Sequence, residues 1–64
     1  MRIFITWHTL HTEYGSGLWA VIDGMLTVRT ANGSKTAWLG GMSGETLATV
    51  LMRELAQERE DAVA

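Results

Sequence analysis

The chain contains neither cysteine nor proline, and each absence narrows how a small domain can be built. Without Cys there are no disulfides and no zinc site of the thiolate kind. The 64 residues form at most one domain, which must gain its stability from good packing or from oligomerisation. Without Pro, the turns depend on the seven glycines, which separate short apolar runs in a strand-turn-strand pattern.

Positive charge is also scarce, since five basic residues face seven acidic ones and the formal net charge is −2. The basic residues are scattered, whereas binding to nucleic acid through phosphates favours a basic patch. No apolar run approaches the roughly 18 residues of a membrane span. The N-terminal run ends at His8, too early for a signal peptide. We therefore expect a cytoplasmic protein with no membrane partner and no strong affinity for nucleic acid.

Two residue pairs, Asp23-Gly24 and Asn32-Gly33, predict tight hairpin turns. Both central positions of a two-residue type I′ turn need positive φ, which Gly, Asn and Asp adopt most easily. Each turn then fixes the register of its flanking strands. The predicted cross-strand neighbours include Val21 with Leu26 around the first turn, and Val28 with Ala37 around the second.

Because opposed residues share a face of a sheet, the two turns divide three strands between two faces. A one-residue slip in either turn would mix the two sets, so their segregation supports both turns. The inner face, as we name it, is entirely apolar and comprises Trp19, Val21, Leu26, Val28, Ala37 and Leu39. The outer face is mixed and comprises Leu18, Ala20, Ile22, Met25, Thr27, Arg29, Thr36 and Trp38.

An earlier run, RIFITWHTLHT, predicts a first strand. The alternation places Ile3, Ile5 and Trp7 on the inner face, and Phe4 and His8 on the outer face. TEYGSG then predicts a longer turn, of about five residues, that leads back into the strand at Leu18.

After Gly41 the apolar period becomes helical. Ser43 is a suitable N-cap and Glu45 lies in the first turn, where the helix dipole favours negative charge. The apolar positions span roughly 200°, more than one-sided packing requires. They are Leu47, Ala48, Val50, Leu51, Met52, Leu55 and Ala56.

Together these patterns predict one α+β domain over residues 1–64, with ββββα order in two layers. A four-stranded antiparallel meander precedes one C-terminal helix, which packs on the inner face. The strands are expected at about 2–11, 17–22, 25–31 and 34–39, and the helix at about 44–59.

The outer face is the predicted interaction surface, because the single helix leaves it without a partner. A large exposed apolar patch marks an interaction site, and Trp, Met and Arg are enriched in interface cores. In the alternative interpretation, Arg29 lies over the Trp38 indole and long side chains cover the rest. The predicted surface residues are Phe4, His8, Leu18, Ile22, Met25, Arg29 and Trp38.

His8 and His11 are candidate metal ligands by spacing alone. In a regular strand, residues three apart point to opposite faces, so a shared ion needs a bulge between them. The serines lie beside glycines without the context of a nucleophile elbow or a phosphate loop. We therefore expect no enzyme and no cofactor.

The leading hypothesis is a small non-enzymatic interaction protein that self-associates as a dimer, or binds another protein, through the outer face or the helix. An unprotected edge strand offers a further route to pairing. One alternative is a nucleic-acid-binding sheet, with Phe4, His8 and Trp38 stacking on bases and Arg2 and Arg29 on phosphates. The other is weak metal binding at His8 and His11.

Overall fold

The computed structural model describes residues 5–63, and its four strands and one helix follow the predicted order. The strands form one antiparallel sheet in the order β1-β2-β3-β4. The predicted ββββα fold is confirmed. The elements are β1 (His8–Thr12), β2 (Gly15–Ile22), β3 (Met25–Thr30), β4 (Gly33–Trp38) and α1 (Gly44–Val63).

The largest differences in extent from the prediction are in β1 and α1. Strand β1 begins at His8 rather than near residue 2, and residues 5–7 precede it without regular structure. Its predicted first residues, 2–4, lie outside the described part of the chain. Helix α1 continues to Val63, beyond the predicted end near residue 59.

The turn between β2 and β3 has the predicted form. Asp23 and Gly24 both have positive φ, 51° and 79°, as a two-residue type I′ turn requires. Val21 consequently lies opposite Leu26, in the expected register.

The turn between β3 and β4 is offset from the prediction. Its two central residues are Ala31 and Asn32, and Gly33 follows with φ of 126°. The Thr30 hydroxyl accepts a hydrogen bond from the Asn32 N–H (3.0 Å) and donates one to the Gly33 carbonyl (3.4 Å). Val28 therefore lies opposite Lys35 and not opposite Ala37. Because the register shifts by two residues, every side chain remains on its predicted face.

The turn between β1 and β2 repeats this Thr-x-x-Gly arrangement. Thr12 Oγ1 accepts from the Tyr14 N–H at 3.0 Å, and Gly15 has φ of 116°. The turn thus has two central residues instead of the predicted five or so. This odd difference in length reverses the faces of β1. His8 pairs with Trp19 on the inner face.

The predicted inner-face positions of Ile5 and Trp7 are therefore wrong. Trp7 lies on the outer side, where the Arg29 guanidinium contacts its ring, and Ile5 is 41% exposed rather than part of the core. Leu10, from the opposite parity of β1, is buried in the core instead. Ile3 lies outside the described residues.

Helix α1 covers the inner face and forms the core with it. Ser43 caps the helix as predicted, since its Oγ accepts a hydrogen bond from the Thr46 N–H at 3.2 Å. Val50 and Ala56, at the margins of the helical apolar arc, are only half-buried. The core cluster comprises Leu10, Leu26, Val28, Leu47, Ala48, Leu51, Met52 and Leu55.

Two glycines allow this close packing. At Gly44, the first helical residue, a methyl group would overlap the ring of Trp19, so the helix begins directly against the indole. At Gly17, a Cβ would stand 2.8 Å from the Arg29 carbonyl oxygen and 2.9 Å from Thr30 Cγ2. Neither a backbone oxygen nor a β-branched side chain moves easily, so glycine allows β2 to lie this close to β3. The same Cβ would stand 3.3 Å from Met52 Cε of the helix.

We expect Gly17→Ala to lower the free energy of unfolding by about 1–3 kcal/mol, because the new methyl overpacks the sheet. Gly41→Ala is the matched control, because a Cβ there meets open space and the backbone lies outside the left-handed region. Urea denaturation followed by circular dichroism measures both. Equal midpoints for the two variants would contradict this account of Gly17.

An ion pair joins the edge strand β4 to the helix. Lys35 Nζ donates to Glu58 Oε2 at 2.5 Å, and both side chains are partly exposed. This hydrogen bond raises the pKa of Lys35 above its ordinary value, with a smaller contribution from the charge of Glu54. Lys35 is the single lysine of the chain, so its titration can be followed directly.

The raised pKa of Lys35 means that the pair stabilises the fold below the unfolded value of 10.5. That contribution is lost as pH rises through the folded pKa. We expect Lys35→Met to lower the urea midpoint at pH 8, with a difference from wild type that closes as the pH rises through the folded pKa of Lys35. Lys35→Arg is the control, because guanidinium keeps its charge there. A difference between wild type and Lys35→Met that persists unchanged at high pH would contradict the pairing.

Candidate functional site

The outer face is laid out in rows that cross the strands, because opposed residues share a level of the sheet. One row is apolar and lies at the Asp23-Gly24 end. A middle row is small and polar, apart from Ala20. A third row mixes polar groups with Leu18 and Arg29. In strand order the rows are Ile22, Met25 and Trp38; then Ala20, Thr27 and Thr36; then Thr9, Leu18, Arg29 and Ser34.

Trp38 is the most exposed large apolar side chain among those described, at 72%. It stands at the end of β4, and its ring reaches toward the turn, 3.4 Å from where a Cβ on Gly24 would lie. Ile22, in the same row, is 42% exposed, and Met25 between them is half-buried. These three side chains form the apolar row at one end of the sheet, with Ile22 and Trp38 exposed and Met25 half-buried.

Arg29 contacts an indole, but not the one expected. Its guanidinium carbon lies 5.3 Å from the ring centroid of Trp7, within the range of a cation–π contact. The alternative interpretation, in which Arg29 covers Trp38, is therefore wrong. There are two physical reasons. The reversed parity of β1 brings Trp7 to the outer side, and the shifted register of β4 places Trp38 opposite Met25, four residues along β3 from Arg29.

A shallow depression of 360 Å³ lies at the other end of the outer face. Its surface is mostly apolar, although several of its residues carry polar groups. His11 stands beside it on β1, with Nδ1 2.7 Å from Ser16 Oγ. The lining residues are Thr9, Ser16, Gly17, Leu18, Arg29, Thr30 and Ala31.

The predicted placement of His8 on the outer face is wrong. Its ring stacks on Trp19 of the inner face, with centroids 4.4 Å apart and planes inclined by 28°. His11 faces outward toward Ser16, so the two imidazoles lie on opposite faces of β1. They cannot share an ion in this arrangement. Among the described residues, no group of three His, Cys, Asp or Glu side chains could hold a metal.

The His11–Ser16 contact resembles a general base beside a hydroxyl nucleophile, but it lacks the rest of such a site. A catalytic imidazole is oriented by a further group on its second nitrogen. Within the described part of the chain, His11 has no such side-chain hydrogen bond. Both residues are exposed at the end of a hairpin, where water is not excluded.

Most of the predicted surface residues lie together on the outer face: Leu18, Ile22, Met25, Arg29 and Trp38. His8 belongs to the inner face, and Phe4 lies outside the described residues. Sequence reasoning missed Trp7, which joins the outer side through Arg29. The Thr-x-x-Gly pattern shared by TEYG and TANG was the signal that could have found it, because it fixes the length of the first turn.

No helix among the described residues is long and apolar enough to cross a membrane. Comparisons with protein families, with curated proteins and with solved structures gave no match. The function must therefore be argued from the side chains of this chain.

The opposite orientation of His8 and His11 makes a prediction for zinc titration followed by histidine NMR. We expect the two imidazoles to respond independently, each with the weak affinity of a single ligand, so His11→Ala leaves the His8 response unchanged. A common saturation curve that His11→Ala abolishes for both residues would require the strand to bulge and the histidines to converge.

Proposed function

We propose that this protein is a small non-enzymatic interaction protein that self-associates through the outer face of its sheet. The observation that carries the proposal is the apolar row, in which Trp38 is 72% exposed beside Ile22 and Met25. The chain's helix occupies the inner face. On the outer face, Trp7 lies over Arg29 and Ala20 is 1% exposed, while the apolar row lies at the Asp23-Gly24 end of the sheet.

The charge distribution supports this surface. Within the four strands, Arg29 is the one Asp, Glu, Lys or Arg side chain on the outer face, whereas the helix carries many charges. Interface cores are depleted of charged residues but enriched in Trp, Met and Arg. Two copies meeting at this face therefore bring together few like charges.

The size of the face indicates how strong such association can be. Four strands spaced about 4.8 Å apart, each with about six residues rising 3.3 Å, present roughly 400 Å² in projection. Two such faces bury on the order of 800–1,000 Å² in total, just below the roughly 1,200 Å² of specific stable interfaces and typical of weak, transient ones. We therefore expect a dimer that forms at micromolar concentration rather than a permanent assembly.

The helix is less suited to association than its wide apolar arc predicted. Leu47, Leu51 and Leu55 are each 7% exposed or less, since they pack on the sheet. Val50 and Ala56 remain half-buried at the margins and offer little apolar area. This distribution favours the outer face over the helix as the surface of self-association.

Nucleic-acid binding remains the second candidate, since Trp7 and Arg29 lie on the same side of the sheet as Trp38. Exposed aromatic rings beside a cation form stacking platforms for single strands. The net charge of −2 opposes it. A tryptophan fluorescence titration with single-stranded oligonucleotides at low salt separates the two, because only this function produces a saturable change.

Adjacent residues of β2 provide a matched test of the outer face. Ile22 and Val21 are 42% and 39% exposed but point to opposite faces. We expect Ile22→Glu to shift the protein to monomer in sedimentation velocity at micromolar concentration, because it places a charge in the apolar interface. Val21→Glu should leave the dimer in place.

Circular dichroism confirms that both variants remain folded before association is compared. Equal loss of the dimer in both variants would show that the inner side or overall stability controls association. A wild-type chain that stays monomeric up to high micromolar concentration would overturn the proposed function.

A further inference from the structure

We infer that the outer face is self-complementary, with Trp38 of each copy seated in the Leu18 depression of the other. This inference rests on the proposed function and specifies the partner as a second copy in one orientation. It depends on two features of one face, a projecting indole and a mostly apolar depression.

The positions of these features suit a two-fold symmetric dimer. Trp38 lies on β4 in the apolar row, and Leu18 lies on β2 two rows away. Their backbone positions are separated by about 10 Å across the strands and about 13 Å along them. The midpoint falls at Thr27 on β3, which is also near the middle of the sheet.

A two-fold axis lying between the faces and passing over Thr27 brings each Trp38 onto the opposite copy's depression. Such an interface is isologous, so a residue that contacts another across the axis makes the same contact twice. An axis near the middle of the sheet also keeps most of both faces in contact. An off-centre pairing would reduce an interface that already lies near the lower size limit.

The chemistry of the depression suits an indole. The depression is shallow and open, and its surface around Leu18 is mostly apolar, so it offers contact to one face of a flat ring. Arg29 forms part of that lining. Its guanidinium already contacts the Trp7 ring, so an incoming indole would extend this cation–π contact to a second ring.

The polar row at the proposed axis does not oppose burial. Thr27 Oγ1 and Thr36 Oγ1 lie 2.9 Å apart and hydrogen-bond to each other. Burying a polar group is costly chiefly when its hydrogen bond is lost. These hydroxyls keep their mutual bond when a second sheet covers them.

A charge exchange between copies tests the geometry. In a two-fold symmetric homodimer the Leu18–Trp38 contact occurs twice. Leu18→Glu and Trp38→Lys each disrupt both of these contacts. We expect the dimer dissociation constant of each variant alone to exceed that of wild type by about thirtyfold, as expected when a central interface residue is replaced. Both side chains are exposed, so neither substitution enters the core.

An equimolar mixture of Leu18→Glu and Trp38→Lys should form heterodimers. One contact in the heterodimer is native and the other places Lys against Glu. The dissociation constant of the heterodimer should therefore lie within about tenfold of the wild-type value. Ile22→Glu mixed with Trp38→Lys is the control and should remain monomeric, because Ile22 does not face Trp38 across the proposed axis. Sedimentation velocity measures all of these samples.

The outcomes separate this inference from the proposed function. If the single variants are monomeric but the mixture is not rescued, the outer face associates in another orientation and the inference fails alone. Rescue by the Ile22→Glu control as well would contradict the specific pairing. If Trp38→Lys and Ile22→Glu both dimerise like wild type, another surface associates and both proposals fail. Should a charge variant lose its circular dichroism spectrum, Leu18→Gln and Trp38→Gln replace it, and each must still weaken the dimer.

Discussion

One helix covers one face of the sheet, and most features of this protein depend on how completely it does so. Leu26 and Val28 are fully buried beneath α1, and Gly17 allows the helix to approach β2 closely. A chain of 64 residues has little further apolar surface with which to cover the other face. On the outer face Trp7 lies over Arg29 and Ala20 is buried, but Leu18, Ile22 and Trp38 remain exposed to solvent or to a second molecule. This exposure underlies both proposals.

The two faces differ in the kind of packing that they can support. The inner face combines aliphatic side chains with glycines. Trp19 stacks on His8 within the sheet and packs against Gly44 of the helix, and the Lys35–Glu58 pair joins β4 to the helix. The outer face separates an apolar row from a depression by a row of small polar residues. A helix laid on this face would meet Trp38 as an obstacle, whereas a second sheet with the inverse arrangement would accommodate it.

The sequence predicted the fold because three strands and the helix carry strong local patterns. Asp23-Gly24 determines the register of one hairpin. At Asn32-Gly33 the register shifts by two residues, an even number, so each side chain stays on its predicted face. The prediction for the first hairpin was wrong because the predicted turn was longer than the observed one by an odd number of residues. That single parity error moved His8 and Trp7 to the wrong sides of the sheet, although the strand itself was recognised.

The surface was predicted less completely than the fold, for the same reason. Residues on β2, β3 and β4 were assigned correctly to the outer face, including Leu18, Met25 and Trp38. The depression could not be predicted, because it arises from side chains of three strands around a turn whose geometry depends on the Thr30 hydroxyl. A Thr hydroxyl that stabilises a turn is a weaker signal in the sequence than an Asp-Gly pair.

If the outer face is where two copies of this protein meet, the indole resonances report that contact directly. The chain has three tryptophans, with Trp19 on the inner face and Trp38 on the outer face. The most direct measurement is a dilution series followed by two-dimensional NMR of the indole N–H groups. We expect the Trp38 resonance to move with concentration while that of Trp19 stays fixed. A Trp38 resonance that does not move, or a shift confined to Trp19 and the helix, would contradict it.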